Sequence, residues 1–337
     1  MTLTPLREDA LLEIRNLKTW FYTDDGVSKA VDGMDLVAHP GRTLGVIGES
    51  GSGKSVTALS VLRLVASPPG RIIDGKIYFN GEDLLRKSPS QMRELRGNEI
   101  SMIFQEPMTS LNPVYTIGNQ IMESLILHQQ MSKGEARRKA IEMLGLVGIS
   151  SPEKRVDEYP HQLSGGMRQR AMIAMALSCR PKLLIADEPT TALDVTIQAQ
   201  ILRLMKELKE QINMAVMIIT HDLGVVAQVS DDVVVVYAGK GVEYADVGTI
   251  FSKPAHPYTR ALYDSIPRLT DSEKRKLEVI QGTVPNPLHF PSGCRFHPRC
   301  RFAKDFCKVD EPELETVSPG HTARCFMYSK ERGHLFS

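Results

Sequence analysis

The chain has 337 residues, of which 42% are hydrophobic and 24% are charged, so it can bury an ordinary core and is not disordered by composition. The 41 Lys and Arg residues nearly balance the 40 Asp and Glu residues, which leaves no overall field to favour nucleic acid or an anionic membrane. The N-terminal stretch lacks a signal-peptide pattern and no apolar run is long enough to span a bilayer, so we expect a cytoplasmic chain.

The first part of the chain predicts short strands and turns that lead into a helix. Leu11–Asn16, Ala30–Val37 and Ile72–Phe79 alternate in part, and Asp-Gly or Asn-Gly pairs mark the turns. Thr43–Ile47 is a short apolar run, and after a Gly-rich turn the segment Lys54–Leu64 has helical spacing.

Three later runs are apolar without alternation, as expected for strands covered on both faces: Leu183–Ala186, Ala215–Ile219 and Val233–Tyr237. The helical segment Ile197–Ile212 separates two of them. This alternation of buried strands and helices predicts an α/β fold built on a parallel sheet.

Two segments differ from this pattern. Residues 83–160 contain amphipathic helices at Ile117–Gln130 and Lys133–Val147, which predicts a helical subdomain inserted into the sheet domain. Residues 249–337 are rich in proline and poor in periodic apolar stretches. We expect this tail to be a separate module that needs a staple for stability.

The segment Gly48–Ser55 fits the pattern G-x-x-x-x-G-K-[ST] between a predicted strand and a predicted helix. Its glycines allow backbone N–H groups to form an anion nest, and the helix N-terminus adds partial positive charge. The pattern assigns Lys54 to the β- and γ-phosphates and the Ser55 hydroxyl to Mg²⁺. We predict a nucleotide phosphate site rather than a flexible linker, with these binding residues: Gly48, Ser50, Gly51, Ser52, Gly53, Lys54 and Ser55.

The run Leu183–Ala186 leads directly into Asp187 and Glu188, so an apolar strand ends in two acids. Buried carboxylates at such a position need a cation or hydrogen bonds to balance them. Given a phosphate nest, Asp187 suits Mg²⁺ binding through a water molecule, and Glu188 suits the polarisation of a water against the γ-phosphate. Without that nest, two solvated acids would be the simpler interpretation.

Two further segments are less specific. His221 follows the third of the sheet strands, at the end of the sheet where ligands gather in open α/β folds, although a single histidine is usually structural. Leu163–Met167 reads LSGGM and precedes an apolar helix. Its Ser and Gly residues offer a hydroxyl and N–H groups to an anion, or else form an ordinary helix cap.

The order of these motifs resembles the nucleotide-binding subunit of an ATP-binding cassette (ABC) transporter over about residues 11–245. The resemblance includes Gln105 in Phe104-Gln105-Glu106 and Asp194 in Ala192-Leu193-Asp194. It implies a P-loop NTPase cassette with a mainly parallel sheet core, an antiparallel β subdomain, the inserted helical subdomain and a small cysteine-rich extension. The implied domains are a cassette at 1–248, with its insert at about 83–160, and an extension at 249–337.

The resemblance also implies a role for each matching residue. Phe21, or Tyr22 beside it, would stack on adenine, and Gln105 would join Ser55 and Asp187 around Mg²⁺ and the attacking water.

At the γ-phosphate, Glu188 would be the general base and His221 would hold the phosphate end. Asp194 would communicate across an interface between cassettes. The γ-phosphate of a nucleotide held by another subunit would contact the signature residues Ser164, Gly165 and Gly166.

The tail narrows the resemblance to dipeptide/oligopeptide importer ATPases, through Ala255–Leu262 and Gly282–Pro285 followed by the cysteines. Related tails occur in importers of nickel, opines or oligosaccharides, so the solute stays open among these classes. By itself, His256 would be a packing or turn residue.

Because one cassette cannot close its own site, the resemblance implies a second ABC ATPase subunit, often a paralogous and different polypeptide. Two integral-membrane permeases and an extracytoplasmic solute-binding protein would complete the importer, with no nucleic acid partner. The chain would be a peripheral subunit on the cytoplasmic face of the membrane. The helical insert and the segment Met108–Pro113 would receive the permeases' coupling helices. Met102 and Met108 suit adaptable docking, although core filling is more frequent for methionine.

Two other classes of ABC protein are alternatives. Soluble ABC ATPases act in DNA repair, chromosome structure or translation, but they usually carry two cassettes, a long coiled coil or zinc modules. A regulatory nucleotide switch is disfavoured by the presence of both Glu188 and His221.

Four of the five cysteines lie within the last 44 residues, with the spacing C-x₅-C-x₆-C-x₁₇-C: Cys294, Cys300, Cys307 and Cys325. Structural zinc sites usually bring close C-x₂₋₄-C pairs, whereas four thiolates of irregular spacing suit a cubane cluster. We expect one [4Fe–4S] cluster of structural role, with Zn²⁺ or reduced, unligated thiols as alternatives. The lone Cys179 is expected to be a buried apolar residue. Arginines beside the four cysteines are expected to offset the cluster charge: Arg295, Arg299, Arg301 and Arg324.

Overall fold

The computed structural model describes residues 9–105, 110–190, 195–265 and 280–336. Its strands are β1 (Leu12–Thr23), β2 (Gly26–Ala38), β3 (Thr43–Ile47), β4 (Gly70–Phe79), β5 (Glu82–Asp83), β6 (Ile100–Ile103), β7 (Leu183–Asp187), β8 (Ala215–Thr220), β9 (Asp232–Tyr237), β10 (Lys240–Asp246), β11 (Glu315–Ser318) and β12 (His321–Ala323).

The α-helices of the described residues are α1 (Lys54–Val61), α2 (Pro89–Leu95), α3 (Ile117–Gln129), α4 (Lys133–Leu146), α5 (Pro152–Arg155), α6 (Gly165–Leu177), α7 (Val195–Ile212), α8 (Leu223–Val229), α9 (Val247–Ser252) and α10 (Pro257–Asp264). They group, with the strands, into two compact units. The first comprises the chain up to Leu12, Ala38–Thr43 and Phe79–Ile219, and the second comprises Glu13–Val37, Leu44–Tyr78 and Thr220–Ser337.

The first unit contains a parallel β6-β7-β8 ladder, in which Ile100 pairs with Leu183 and Leu183 pairs with Ala215. Every residue of β7 and β8 is buried, as the continuous apolar runs predict. Strand β6 lies inside the segment that the sequence predicts to be a helical insert, so that segment also supplies a strand to the sheet.

Helices of the first unit begin where the sequence provides a cap. Ser132 and Glu135 form a capping box at the start of α4, and Thr116 accepts a hydrogen bond from the backbone N–H of Asn119 at the start of α3. Helix α7 buries one stripe, which follows the expected helical period: Ile201, Leu202, Met205 and Leu208.

The second unit has strand order β2-β1-β4 in one sheet and β11-β12-β10-β9-β3 in another. Strands β3 and β9 are parallel, while β10 is antiparallel to both β9 and β12. The pairing of Glu243 with Ala323 joins the tail to this sheet. The tail is therefore not separate from the sheet, because its hairpin β11-β12 continues the hydrogen-bonded ladder.

Candidate functional site

The predicted phosphate-binding loop, Gly48–Ser55, joins β3 to α1 in the second unit, where the sequence places it. Gly53 has φ of 102°, and a Cβ atom there would lie 2.4 Å from the carbonyl oxygen of Ala30. At Gly48, a Cβ atom would lie 2.1 Å from the carbonyl oxygen of Val236. Glycine is required at both positions because the loop backbone packs directly on neighbouring backbone.

The loop exposes its tip and buries its base. Ser50 and Gly51 are exposed, Ser55 is half-buried, and Ser52, Gly53 and Lys54 are buried. The Nζ atom of Lys54 donates to the carbonyl oxygens of Gly48 at 2.8 Å and Glu49 at 2.9 Å. The lysine therefore holds its positive charge against the loop backbone, at the start of a helix.

The two acids lie at the carboxyl end of β7 in the first unit. Asp187 is 5% exposed and pairs in register with Ile219 of β8. Glu188 has φ of 46°, and its backbone N–H donates to the carbonyl oxygen of Ile219 at 2.8 Å. A left-handed backbone conformation is unusual for a glutamate just after a buried strand, and such local strain is concentrated at functional sites.

Gln105 and Glu188 are in direct contact. The Nε2 atom of Gln105 donates to Oε2 of Glu188 at 3.1 Å, although 83 positions separate them in sequence. The structure thus brings together two residues that the sequence connects only through the family resemblance. Glu106 and Met108, which follow Gln105, lie outside the described residues.

The signature segment begins α6. Ser164 is its N-cap and accepts a hydrogen bond from the backbone N–H of Met167 at 3.3 Å. Ser164 and Gly165 are exposed, Gly166 is half-buried, and a Cβ atom at Gly165 would meet nothing within 4 Å. The start of the helix therefore presents a hydroxyl and backbone N–H groups at the surface, as an anion-binding helix start requires.

Sequence reasoning missed a residue that fixes the neighbourhood of the two acids. Gln169 on α6 is 2% exposed, and its Nε2 atom donates to the carbonyl oxygen of Pro189 at 2.5 Å. This bond ties the signature helix to the backbone that follows Glu188. A buried glutamine on an otherwise apolar helix face was the only signal available.

The other predicted site residues have varied positions. Phe21 is half-buried on β1, where one ring carbon would lie 2.9 Å from a Cβ atom at Gly70. Tyr22 is 46% exposed under the guanidinium of Arg71. His221 is exposed directly after β8, and Asp194 lies outside the described residues.

The four tail cysteines line a single cavity of about 20 Å³. Burial, reinforced by the neighbouring thiols, raises the pKa of Cys294 to about 12 and that of Cys325 to about 11. Within the described part of the chain, no group of three or more His, Cys, Asp or Glu side chains converges as a metal-ion site would. Cys179 is buried elsewhere, as predicted, and its Sγ donates to the carbonyl oxygen of Ser124.

The arginines beside the cysteines do not mainly serve the thiols, contrary to the expectation from sequence. Three of them pair with carboxylates of other segments: Arg295 with Asp32, Arg299 with Glu49, and Arg324 with Asp35. They have this role because the tail packs on the second unit, where Asp32 and Asp35 lie on β2 and Glu49 lies in the loop between β3 and α1.

A buried polar network holds the segment around His256. The fully buried carboxylate of Glu243 accepts hydrogen bonds from the backbone N–H groups of Ala255 at 2.6 Å and His256 at 2.8 Å, and it contacts Nε2 of His321 at 2.8 Å. The ring of His256 is 1% exposed and caps α10 by accepting from the N–H of Tyr258 at 3.0 Å. His256 is thus a structural cap, as its simpler interpretation predicts.

Two family models and a close relative match this chain. Residues 31–191 match the family model described as ABC transporter, and residues 242–307 match the model described as oligopeptide/dipeptide transporter, C-terminal region. The chain is 55% identical over 321 residues to the oligopeptide transport ATP-binding protein AppD of Bacillus subtilis, covering 95% of this chain and 98% of that protein. The chain belongs to the ATP-binding proteins of ABC transporters.

Other similarities agree with this family. The dipeptide transport ATP-binding protein DppD of Escherichia coli is 49% identical over 316 residues, which covers 94% of this chain and 96% of that protein. The dimeric ATP-binding cassette MJ0796, solved in a post-hydrolysis state bound to ADP and Pi, matches with a TM-score of 0.63 at 26% identity, over 70% of this chain and 98% of that chain. The predicted ABC cassette fold and ATP-hydrolysing activity are confirmed.

The matched segments map onto the two sets of candidate residues. The ABC transporter segment spans the phosphate-binding loop, the signature and Glu188. The C-terminal segment spans Glu243, His256 and three of the four tail cysteines, while Cys325 lies beyond it. Across the described residues, no helix is both long and apolar enough to cross a membrane.

Proposed function

We propose that this ABC ATPase subunit drives the uptake of dipeptides and oligopeptides. The observation that carries the proposal is the match over 95% of the chain to a protein named for oligopeptide transport. The match of residues 242–307 to the oligopeptide/dipeptide transporter C-terminal region supports the same solute class. Nickel, opines and oligosaccharides are the competing solutes that an experiment must separate.

The proposed chemistry assigns roles to residues in each unit. In the second unit, Lys54 and the loop N–H groups bind the β- and γ-phosphates, Ser55 binds Mg²⁺, Phe21 stacks on adenine, and His221 contacts the γ-phosphate. The close backbone packing at Gly53 supports this assignment, because it fixes the nest that receives the anion.

In the first unit, Asp187 binds Mg²⁺ through water, and Glu188 accepts a proton from the attacking water. The hydrogen bond from the Gln105 amide supports this role, because it orients the carboxylate of Glu188, a group that accepts protons. The exposed N-terminus of α6 supports γ-phosphate contact from a partner cassette by Ser164, Gly165 and Gly166. Asp194 keeps its proposed role at that interface.

The proposed assembly contains a second cassette, paralogous to this one, with two integral-membrane permeases and an extracytoplasmic solute-binding protein. The chain acts peripherally at the cytoplasmic face of the membrane. Because the signature of one cassette serves the nucleotide of the other, the isolated chain should have low ATPase activity that rises steeply in the assembled complex.

Reconstitution tests the solute and the assembly together. The chain is placed in proteoliposomes with the neighbouring permeases, the second cassette and the binding protein, and ATPase rates are measured with peptides of two to five residues, Ni²⁺, an opine or an oligosaccharide. We expect stimulation by peptides alone. Stimulation only by another solute would overturn peptide uptake, and a rate independent of the permeases would overturn the transport role.

The tail cysteines are proposed to hold a [4Fe–4S] cluster of structural role. Four thiols around one cavity are the donor set of a cubane, in which each thiolate binds a different iron. Zn²⁺ is the alternative occupant, since a tetrahedral ion can also be bound by four thiolates. Since the cavity of about 20 Å³ is the size of one water molecule, a cluster must separate the thiols further.

Anaerobic purification with iron, sulfide and zinc analysis, beside a visible spectrum, tests this proposal. We expect four irons and four sulfides per chain, with visible absorbance that disappears when Cys294 and Cys300 are changed to serine. A colourless protein with one zinc per chain would replace the cluster by Zn²⁺. A metal-free tail that stays folded with all four cysteines changed to serine would exclude both.

A further inference from the structure

The second residue of the phosphate-binding loop is held by two residues of the tail. Arg299 donates from Nη1 to Oε2 of Glu49 at 2.7 Å and from Nη2 to Oε1 at 3.0 Å. The hydroxyl of Tyr258 accepts a hydrogen bond from the backbone N–H of Glu49 at 2.9 Å. The tail thus contacts both the side chain and the backbone of a residue that the P-loop pattern leaves unspecified.

Arg299 is held in place by contacts other than its pair with Glu49. Its side chain is 6% exposed, its Nε atom donates to the carbonyl oxygen of Gln281 at 3.0 Å, and Nη1 lies 3.4 Å from the hydroxyl of Tyr237. Burial opposes charge on the guanidinium, but the hydrogen bond to Glu49 outweighs it and raises the pKa of Arg299 above its usual value. A bidentate pair between a fixed arginine and a carboxylate is strong and directional.

Tyr258 is fixed in the same way. It is fully buried, and its ring packs against Tyr237 with centroids 4.6 Å apart and against Phe296 at 5.4 Å. The His256 cap orients the first turn of α10, from which Tyr258 projects. Its hydroxyl is therefore a rigid acceptor for the loop N–H.

Glu49 matters for the phosphates in two ways. Its backbone carbonyl oxygen accepts from Nζ of Lys54 at 2.9 Å, so the orientation of this peptide unit affects the phosphate-binding lysine. Its carboxylate is a negative charge within a loop that binds a polyanion, which would repel the phosphates if it were not neutralised. Arg299 supplies the neutralising charge.

We propose that Arg299 and Tyr258 are positioning residues for ATP binding, through which the tail orients Glu49 and cancels its charge. This inference rests on the proposed role of Gly48–Ser55 as the phosphate site. Both residues act through Glu49, so the loss of either one reduces the fraction of loops that are competent to bind ATP and weakens the apparent affinity accordingly.

The test uses the assembled transporter and measures KM for ATP and kcat separately. We expect Arg299→Met to raise KM about tenfold, the size expected for lost charge-assisted hydrogen bonds, with kcat within about twofold. Adding Glu49→Gln to Arg299→Met removes the unpaired charge and should return KM to within about threefold of wild type. If Arg299 had only a structural role, adding Glu49→Gln would not restore KM.

One control variant and one alternative variant accompany Arg299→Met. Arg324→Met removes a tail arginine that pairs with Asp35 at 3.1 Å and not with Glu49, and it should leave KM unchanged. If Arg299→Met does not fold, Tyr258→Phe removes only the acceptor of the Glu49 N–H and should raise KM about threefold. Wild-type KM in the folded Arg299 or Tyr258 variants, or a double variant as weak as Arg299→Met, would overturn the inference. Unchanged ATP binding in Lys54→Ala would instead overturn the proposed phosphate site.

Discussion

The buried carboxylate of Glu243 gives the sharpest stability prediction. Burial disfavours its charge, but hydrogen bonds led by His321 outweigh burial and hold the pKa of Glu243 below its usual value. Glu243→Gln replaces one acceptor oxygen by an NH₂ donor, while the backbone N–H groups of Ala255 and His256 keep their positions. At least one buried donor then lacks an acceptor, and the contact with His321 loses its charge. Such a change costs about 3 kcal/mol.

The expected loss can be measured through the fluorescence of Trp20, the only tryptophan of the chain, which lies in the same compact unit as Glu243. A cost of about 3 kcal/mol lowers Tm by about 6–12 °C in a unit of this size. Glu313→Gln makes the same chemical change at an exposed tail position and should shift stability by less than about 0.5 kcal/mol. If Glu243→Gln melted within about 1 °C of wild type, the network would not hold the His256 segment as argued.

Three further predictions concern the nucleotide site and the tail. Glu188→Gln should retain ATP binding and lower kcat by about 10²–10⁴-fold, because the amide keeps the shape but cannot accept the proton; normal turnover would exclude it as the base. Gly53→Ala places a methyl group 2.4 Å from the Ala30 carbonyl oxygen at φ of 102°, so we expect equilibrium binding to show that ATP affinity is lost, while the Trp20 fluorescence of the folded protein persists. Burial lowers the pKa of His256 from 6.5 to about 4, so its neutral form stabilises the fold fully above pH 6.5, and about 3 kcal/mol of that stability is lost as the pH falls to about 4. His256→Asn keeps a cap acceptor, so the free energy of unfolding in urea should depend less on pH in this variant. An unchanged pH dependence would show that other groups cause it.

Local sequence was sufficient for the motif-bearing elements. Strand β3 has the predicted bounds Thr43–Ile47, and helix α1 begins at the predicted Lys54. Strand β7 ends at Asp187, one residue beyond the predicted run. These elements are predictable because continuous apolar residues, a Gly-rich turn and terminal acids fix conformation and burial within a few positions of one another.

Strand β6 and the docking of the tail depended on tertiary structure. Ile100–Ile103 has a serine within its four residues and so lacks a continuous apolar run. It becomes a strand by pairing with β7, more than 80 residues away in sequence. The tail likewise joins the second unit through the β10-β12 ladder and the pair of Arg299 with Glu49, which are 250 positions apart. The sequence alone supplied the residues proposed to bind phosphate, and it also showed the set of four cysteines. Which arginine meets which carboxylate was decided by the folded sheets, because partner choice over such separations depends on packing that no local pattern encodes.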